Sequence, residues 1–307
     1  MAKNKKIMEK ARPYVYLSPA LISIFILTFI PIVYTVVLAF TNKSLYHMDD
    51  YSFVGFRNFI EVFTGDLRPI LLPVFLWTFI FAAAICLGGY IIGLLLAILL
   101  NNKHMKEKGI YKAILVLPWA LPATIATLSW QGLLNQNDGG VNKLLKAMHI
   151  INTNIPWLSD TNLARISVIL VSVWFTVPFM LNTCLGALTA IPDSYYEAAK
   201  LDGASKWQMF IKITLPSLTS SSFPLLIGSF ALNFNNFNGI YLLTKGNPAS
   251  VSQYAGGTDI LVSAGYKMTM NLYRYDLAGA LSVIIFIIIG TISFVQMKVS
   301  GQFEEVD

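Results

Sequence analysis

Six stretches of this sequence are long and apolar enough to cross a hydrocarbon core, and that limits the fold more than any other feature. They fall at about 16–40, 72–100, 111–134, 164–190, 214–243 and 276–297. A membrane-crossing helix needs roughly 20 predominantly apolar residues. Unbroken runs of this length lack the alternation of a membrane barrel, so helices are the expected elements. Composition agrees: 55% of the 307 residues are hydrophobic and 12% are charged, about half the charged share of a soluble domain. The expected class is an all-α integral membrane protein with six transmembrane helices.

The basic residues orient these spans. With the N-terminus inside, 13 of the 22 Lys and Arg residues fall on the short inner segments and 9 on the longer outer ones, the bias that marks cytoplasmic loops. The expected layout is a cytoplasmic segment at 1–15, a membrane domain at 16–298 and a cytoplasmic tail at 299–307, with both termini inside. The sequence pI near 9.1 is read as this topology-setting charge and not as a nucleic-acid footprint, because no basic patch lies beside interleaved aromatics. Met1 to Arg12 is basic, but the long apolar run after it has no small-residue cleavage site, so an anchor that stays is expected. Cys86 and Cys184 lie inside apolar runs without metal-ligand spacing and read as packing residues.

Recognisable catalytic chemistry is missing from the pattern. There is no GxxxxGK[ST] phosphate loop. His47, His104 and His149 are scattered through loops, and no Ser/His/Asp or Cys/His grouping or metal cluster can be assembled. The spans are nearly free of ionisable side chains, whereas many ion-coupled carriers and pumps bury acids or bases at membrane depth. A self-sufficient channel or secondary carrier is the competing class, and this absence weighs against it. A transporter built this way takes its energy from another subunit.

Polar residues do occur within the apolar runs. Ser229-Phe230-Ala231-Leu232-Asn233-Phe234-Asn235-Asn236-Phe237-Asn238 holds four amides in six positions, costly in lipid unless they face water, a ligand or one another. Ser229, Asn233 and Asn236 have helical spacing for one face. Amides suit sugar hydroxyls and phenyl rings suit the apolar face of a sugar; interhelical hydrogen bonding is the structural alternative. In the fourth span Ser172, Phe175, Thr176 and Phe179 share a stripe before and beyond Pro178, as packing or as a site. In the third, Pro118 and Pro122 bracket Trp119, which either opens the helix beside a cavity or only bends it. Gly89 and Gly93 have the spacing of a close helix contact. The outer segments hold an amphipathic piece around Phe53–Phe59, a short surface helix at 141–149 and a polar loop at 245–275.

Between the fourth and fifth spans lies Tyr195-Tyr196-Glu197-Ala198-Ala199-Lys200-Leu201-Asp202-Gly203-Ala204-Ser205-Lys206-Trp207. It reads as a two-turn charged helix, capped by Asp193 or Ser194 and broken at Gly203, where a positive φ costs little. A small helix held at a fixed place on the cytoplasmic surface suggests a docking element.

This loop resembles the EAA motif of ABC-importer permeases: Glu197, Ala198 and Ala199, three residues, Gly203, then an apolar run ending in Leu215-Pro216. With Leu117-Pro118-Trp119-Ala120-Leu121-Pro122 and the Asn-rich fifth span, the chain from about residue 14 onward is similar to the MalF-like permeases of maltose/maltodextrin-type ABC importers. The resemblance implies a type I importer permease fold in a bacterial plasma membrane, with a cytoplasmic coupling helix in the loop at about 191–213. It implies a second, MalG-like permease, an ABC ATPase dimer that holds ATP and Mg²⁺, and an extracytoplasmic solute-binding protein, here of lipoprotein type because the large periplasmic insertion of the enterobacterial form is missing. No cofactor in this chain and no enzymatic activity of its own are implied. Glu197, Ala198, Ala199, Asp202, Gly203 and Ala204 then fall on the ATPase-coupling positions. Trp119, Ser172, Phe175, Thr176, Phe179, Ser229, Leu232, Asn233 and Asn236 fall on the sugar-pocket positions. Ser172 and Thr176 depart from the residue types of the maltose prototype, which bears on the saccharide; galacto-oligosaccharide, raffinose-type sugar and glycerol-phosphate stand beside maltodextrin as candidate substrates.

Overall fold

The computed structural model describes residues 14–102, 104–250 and 252–299. The expected N-terminal segment up to Arg12 and the tail beyond Val299 lie outside the described residues. The architecture is helical throughout, with one isolated β-bridge between Thr41 and Phe53 among the described residues. The helices are α1 (Tyr14–Ala39), α2 (Arg57–Thr64), α3 (Arg68–Leu100), α4 (Lys108–Ala120), α5 (Ala123–Leu133) and α6 (Gly140–Ala147). They continue with α7 (Thr161–Thr189), α8 (Asp193–Leu201), α9 (Lys206–Phe234), α10 (Phe237–Thr244), α11 (Leu261–Met270) and α12 (Tyr275–Val299). Five of these, α1, α3, α7, α9 and α12, are long and apolar enough to cross a membrane. The pair α4–α5 makes the sixth candidate, bent by 93°.

Two of the expected spans are interrupted, each for a local reason. In the third, proline disfavours helical backbone at the residue before it, and Leu121 is extended (φ −91°, ψ 138°) ahead of Pro122, which starts α5. Of the two expected outcomes, a helix opened beside a cavity or one only bent, the chain shows a break. In the fifth, the expected run to 243 stops at Phe234. The Asn236 side chain accepts a hydrogen bond from the Gly239 amide at 3.0 Å and opens a new helix, α10. Asparagine competes for backbone hydrogen bonds in this way and so favours helix starts over interiors. Ser229 and Asn233 therefore share a face of α9, and Asn236 does not belong to that helix.

The chain divides into two compact units, Met1–Arg68 with Met268–Ile284, and Pro69–Lys267 with Ile285–Asp307. In the first, buried Asn58 donates to the carbonyls of Ala39 (2.8 Å) and Thr41 (2.7 Å), tying α2 to the end of α1. The piece at 53–59 becomes helical only from Arg57. A Cβ on Gly279 would sit 2.9 Å from the Ala39 nitrogen, so α12 and α1 touch through backbone. Arg274 bridges Glu61 and Asp276, both at 3.0 Å; burial alone lowers its pKa, but the two carboxylates outweigh it and hold it above its usual value.

The second unit carries the polar site. Its core has two clusters along α3 and α7, one with Trp77, Phe81, Val168 and Ile240, the other with Ala97, Leu181, Cys184 and Leu218. Between them a Cβ on Gly89 would meet the Thr176 side chain at 2.7 Å, and one on Gly93 would meet Met180 and the Leu181 nitrogen at 2.7 and 2.8 Å. The Gly89–Gly93 spacing is thus a close helix contact. Both cysteines are buried and unbridged.

Candidate functional site

α5, α7 and α10 surround a hollow of about 330 Å³, within the range typical of small-molecule sites. The helix break at Leu121–Pro122 turns α5 away from α4 and exposes the wall that begins at Trp119. From α7 come Ser172, Phe175 and Thr176, successive on one stripe. The Asn cap of α10 contributes Asn236, with Asn238 and Gly239 beside it. No lining residue is charged.

The polar groups fall into two kinds. Thr127 and Thr176 donate to carbonyls four residues back, Ala123 at 2.8 Å and Ser172 at 2.9 Å. Asn236 accepts from Gly239, and its amide nitrogen makes only a long contact of 3.4 Å to Asn233. By contrast the Ser172 and Thr124 hydroxyls and the Asn238 amide have no hydrogen-bond partner among the described residues. Such groups beside the rings of Trp119 and Phe175 can hydrogen-bond and stack on a neutral, polyhydroxylated solute.

Five of the nine expected pocket residues line the hollow: Trp119, Ser172, Phe175, Thr176 and Asn236. Phe179 stands behind it, its ring centroid 6.1 Å from that of Trp119. Ser229 and Asn233 do not line it; both are buried, and Asn233 donates to the Ser229 carbonyl at 2.9 Å. Leu232 is 78% exposed on another face. Thr124, Thr127, Asn238 and Gly239 were not expected. Their signal was the helix restart after Pro122, which sets Thr124 and Thr127 three apart, and the last amide of the Asn run.

The second expected element is α8. Pro192, in extended conformation, precedes it, so Asp193 stands in the first turn and not at the cap, where its charge suits the positive helix end. The end is a paired motif: Ala204 N–H donates to Ala199 (2.9 Å) and Gly203 N–H to Lys200 (3.1 Å), with Gly203 at φ +77°. No residue of α8 is buried. Glu197 and Asp202 are exposed without an ion pair among the described residues, and Leu201 is 90% exposed. After the turn, Ser205 and Gln208 form a reciprocal capping box that starts α9. A π-helical turn at Phe210–Thr214 follows, two residues before Pro216. Proline crowds the carbonyl four residues back, and the wider turn relieves that crowding without ending the helix.

Long apolar helices, a neutral polar hollow between them and an exposed surface helix define a multi-pass membrane transport subunit. The chain belongs to the family described as binding-protein-dependent transport system inner membrane component, which matches residues 89–302. It is 37% identical over 303 residues to the galactooligosaccharides transport system permease protein GanP of Bacillus subtilis, covering 97% of this chain and 72% of that protein. It is 40% identical over 251 residues to the maltose/maltodextrin transport system permease protein MalF of Salmonella typhimurium, covering 80% of this chain and 48% of that protein. It therefore spans about half the length of MalF. Among solved structures, a bacterial ABC transporter involved in the import of the acidic polysaccharide alginate matches with a TM-score of 0.80 at 22% identity, over 99% of this chain and 100% of that one. The expected type I permease fold is the fold found.

Proposed function

We propose that this chain is the membrane-spanning permease of an ATP-driven importer of neutral oligosaccharides, with malto-oligosaccharide as the leading substrate. The observation that carries this is the uncharged lining of the hollow, with free hydroxyl and amide groups beside Trp119 and Phe175. That lining suits a neutral sugar and disfavours the anionic alternative, glycerol-phosphate, for which no cation is offered. The relation to MalF supports maltodextrin. The relation to GanP over nearly the whole chain supports galacto-oligosaccharide as the second reading.

The remaining roles follow from the same reading. ATP and Mg²⁺ belong to a separate ATPase dimer, which docks on α8 through Glu197 and its neighbours. A second permease completes the pathway, and an extracytoplasmic binding protein delivers the sugar. The Lys and Arg bias supports placing both termini and α8 on the cytoplasmic side. A site between helix groups that rock faces one side at a time, so the hollow alternates between outside and inside.

The test is uptake of radiolabelled maltotriose in cells with and without the gene, with a galacto-oligosaccharide and raffinose as unlabelled competitors. Loss of uptake on deletion, competed only by malto-oligosaccharides, is expected. Competition by the galacto-oligosaccharide selects the second reading. Unchanged uptake of every sugar sinks both.

A further inference from the structure

The hollow is not the end of the polar wall. A second hollow, of about 590 Å³, lies further along the same two helices. α5 lends Thr124 and Thr127 to the first and Leu128 and Gln131 to the second. α10 lends Gly239 and Leu242 to the first, and Leu243 and Thr244 to the second. Thr124 and Gln131 are seven residues apart, which at 1.5 Å per residue places the two hollows on the order of 10 Å apart along α5.

The second hollow repeats the neutral polar lining of the first, without its aromatic rings. Its polar lining residues, among them Gln131, Ser159 and Asn247, are all neutral. The Gln131 amide nitrogen donates to the Leu243 carbonyl at 3.1 Å, fixing α5 to α10 and leaving the Gln131 oxygen as an acceptor. The side chains of Ser159 and Asn247 have no hydrogen-bond partner among the described residues. Leu128, Leu158 and Leu243 supply apolar lining beside these groups.

The rim is held from behind. Thr258 Oγ1 donates to the Asn247 carbonyl at 2.7 Å and lies 2.7 Å from Thr244 Oγ1, while Gly257 N–H donates to Pro248 at 2.7 Å. Beneath them the Asp259 carboxylate, fully buried, accepts from Gly256 N–H, Ser263 and Lys267. A Cβ on Gly246 would collide with that carboxylate, so the turn at Gly246 (φ +78°) is shaped for it. A loop that only connected two helices would not need a buried ion pair at its base. A binding wall must be held in place before its ligand arrives.

We infer that this second hollow is a further sugar subsite, which takes the units of a neutral oligosaccharide that extend past the one seated beside Trp119. The two hollows together read chain length. This rests on the proposed oligosaccharide import, and the test separates the two. Cells carrying the complete transporter are given a disaccharide and a tetrasaccharide of both the malto and galacto series. Ser159→Trp and, separately, Ala249→Trp fill the second hollow from different walls without touching the first. In both variants, at matched membrane levels, the tetrasaccharide-to-disaccharide uptake ratio should fall about tenfold, the scale of one or two lost hydrogen-bonded contacts. Equal loss at both lengths, or no change at either, overturns the subsite. Failure of the unmodified transporter to take up either series overturns the sugar reading itself, and the subsite with it.

Discussion

The Tyr196 hydroxyl lies 2.9 Å from Thr214 Oγ1 and joins the middle of α8 to the π-helical turn of α9. From that turn α9 runs unbroken to Phe234, where buried Asn233 touches Asn236 at the edge of the hollow. A push on the surface helix therefore has a continuous helical path to the polar site. Removing one neutral hydrogen bond costs about 0.5–1.5 kcal/mol. Tyr196→Phe should lower ATP-driven uptake by roughly two- to tenfold at unchanged membrane levels. Thr214→Val should do the same, and the double variant should be no worse than either single one. Additive losses in that cycle would show that the two residues act separately.

Glu197 is exposed and forms no ion pair among the described residues, so its side chain does little for the fold. Exposed substitutions away from structural features usually change stability by less than about 0.5 kcal/mol. Glu197→Lys should therefore insert normally, as judged by membrane immunoblot, yet abolish uptake by reversing charge at a docking contact. Wild-type uptake in this variant would remove the docking role from α8.

The resemblance and the residue pattern were strongest where the signal is local. Six spans were legible because length and apolarity do not depend on partners, and the Gly203 break because a positive φ at a helix end favours glycine. Span ends were less legible. Asn236 read as one more amide on a helical face, but its side chain caps the next helix and ends the span nine residues early. Asn233 and Ser229 looked like the heart of the polar face, yet they bond to each other and lie behind the hollow. Thr124 and Thr127 are not legible as lining residues, because their exposure to the hollow depends on a 93° bend whose size no local pattern states. Which polar groups face one another is set by long-range packing of α5, α7 and α10.

That packing has little slack where α3 meets α7. A side chain at Gly93 would meet the Leu181 backbone nitrogen at 2.8 Å, and backbone cannot rotate aside as a flexible side chain can. Overpacking of this kind costs about 1–3 kcal/mol. Gly93→Val should lower the thermal midpoint of the detergent-purified protein and reduce membrane levels. Gly186→Val, on α7 where nothing lies within 4 Å, should change them far less. Equal loss in the two variants would show that the close approach at Gly93 is not limiting.

Asn236 has two tasks that substitution can separate. As the cap of α10 it satisfies the Gly239 amide at 3.0 Å, and loss of such a cap costs about 0.5–2 kcal/mol. As a lining residue it presents an amide to the hollow. Asn236→Ala removes both functions and should lower stability and uptake together. Asn236→Asp and Asn236→Ser keep an oxygen that can cap, but one brings a negative charge into a neutral hollow and the other withdraws the amide. If the residue meets solute, both should keep near-normal thermal stability while raising the apparent KM for uptake severalfold, on the scale of one hydrogen bond at about 0.5–1.5 kcal/mol. If it serves only as a cap, KM should stay at the wild-type value in both, and any loss of uptake should track the amount of folded protein.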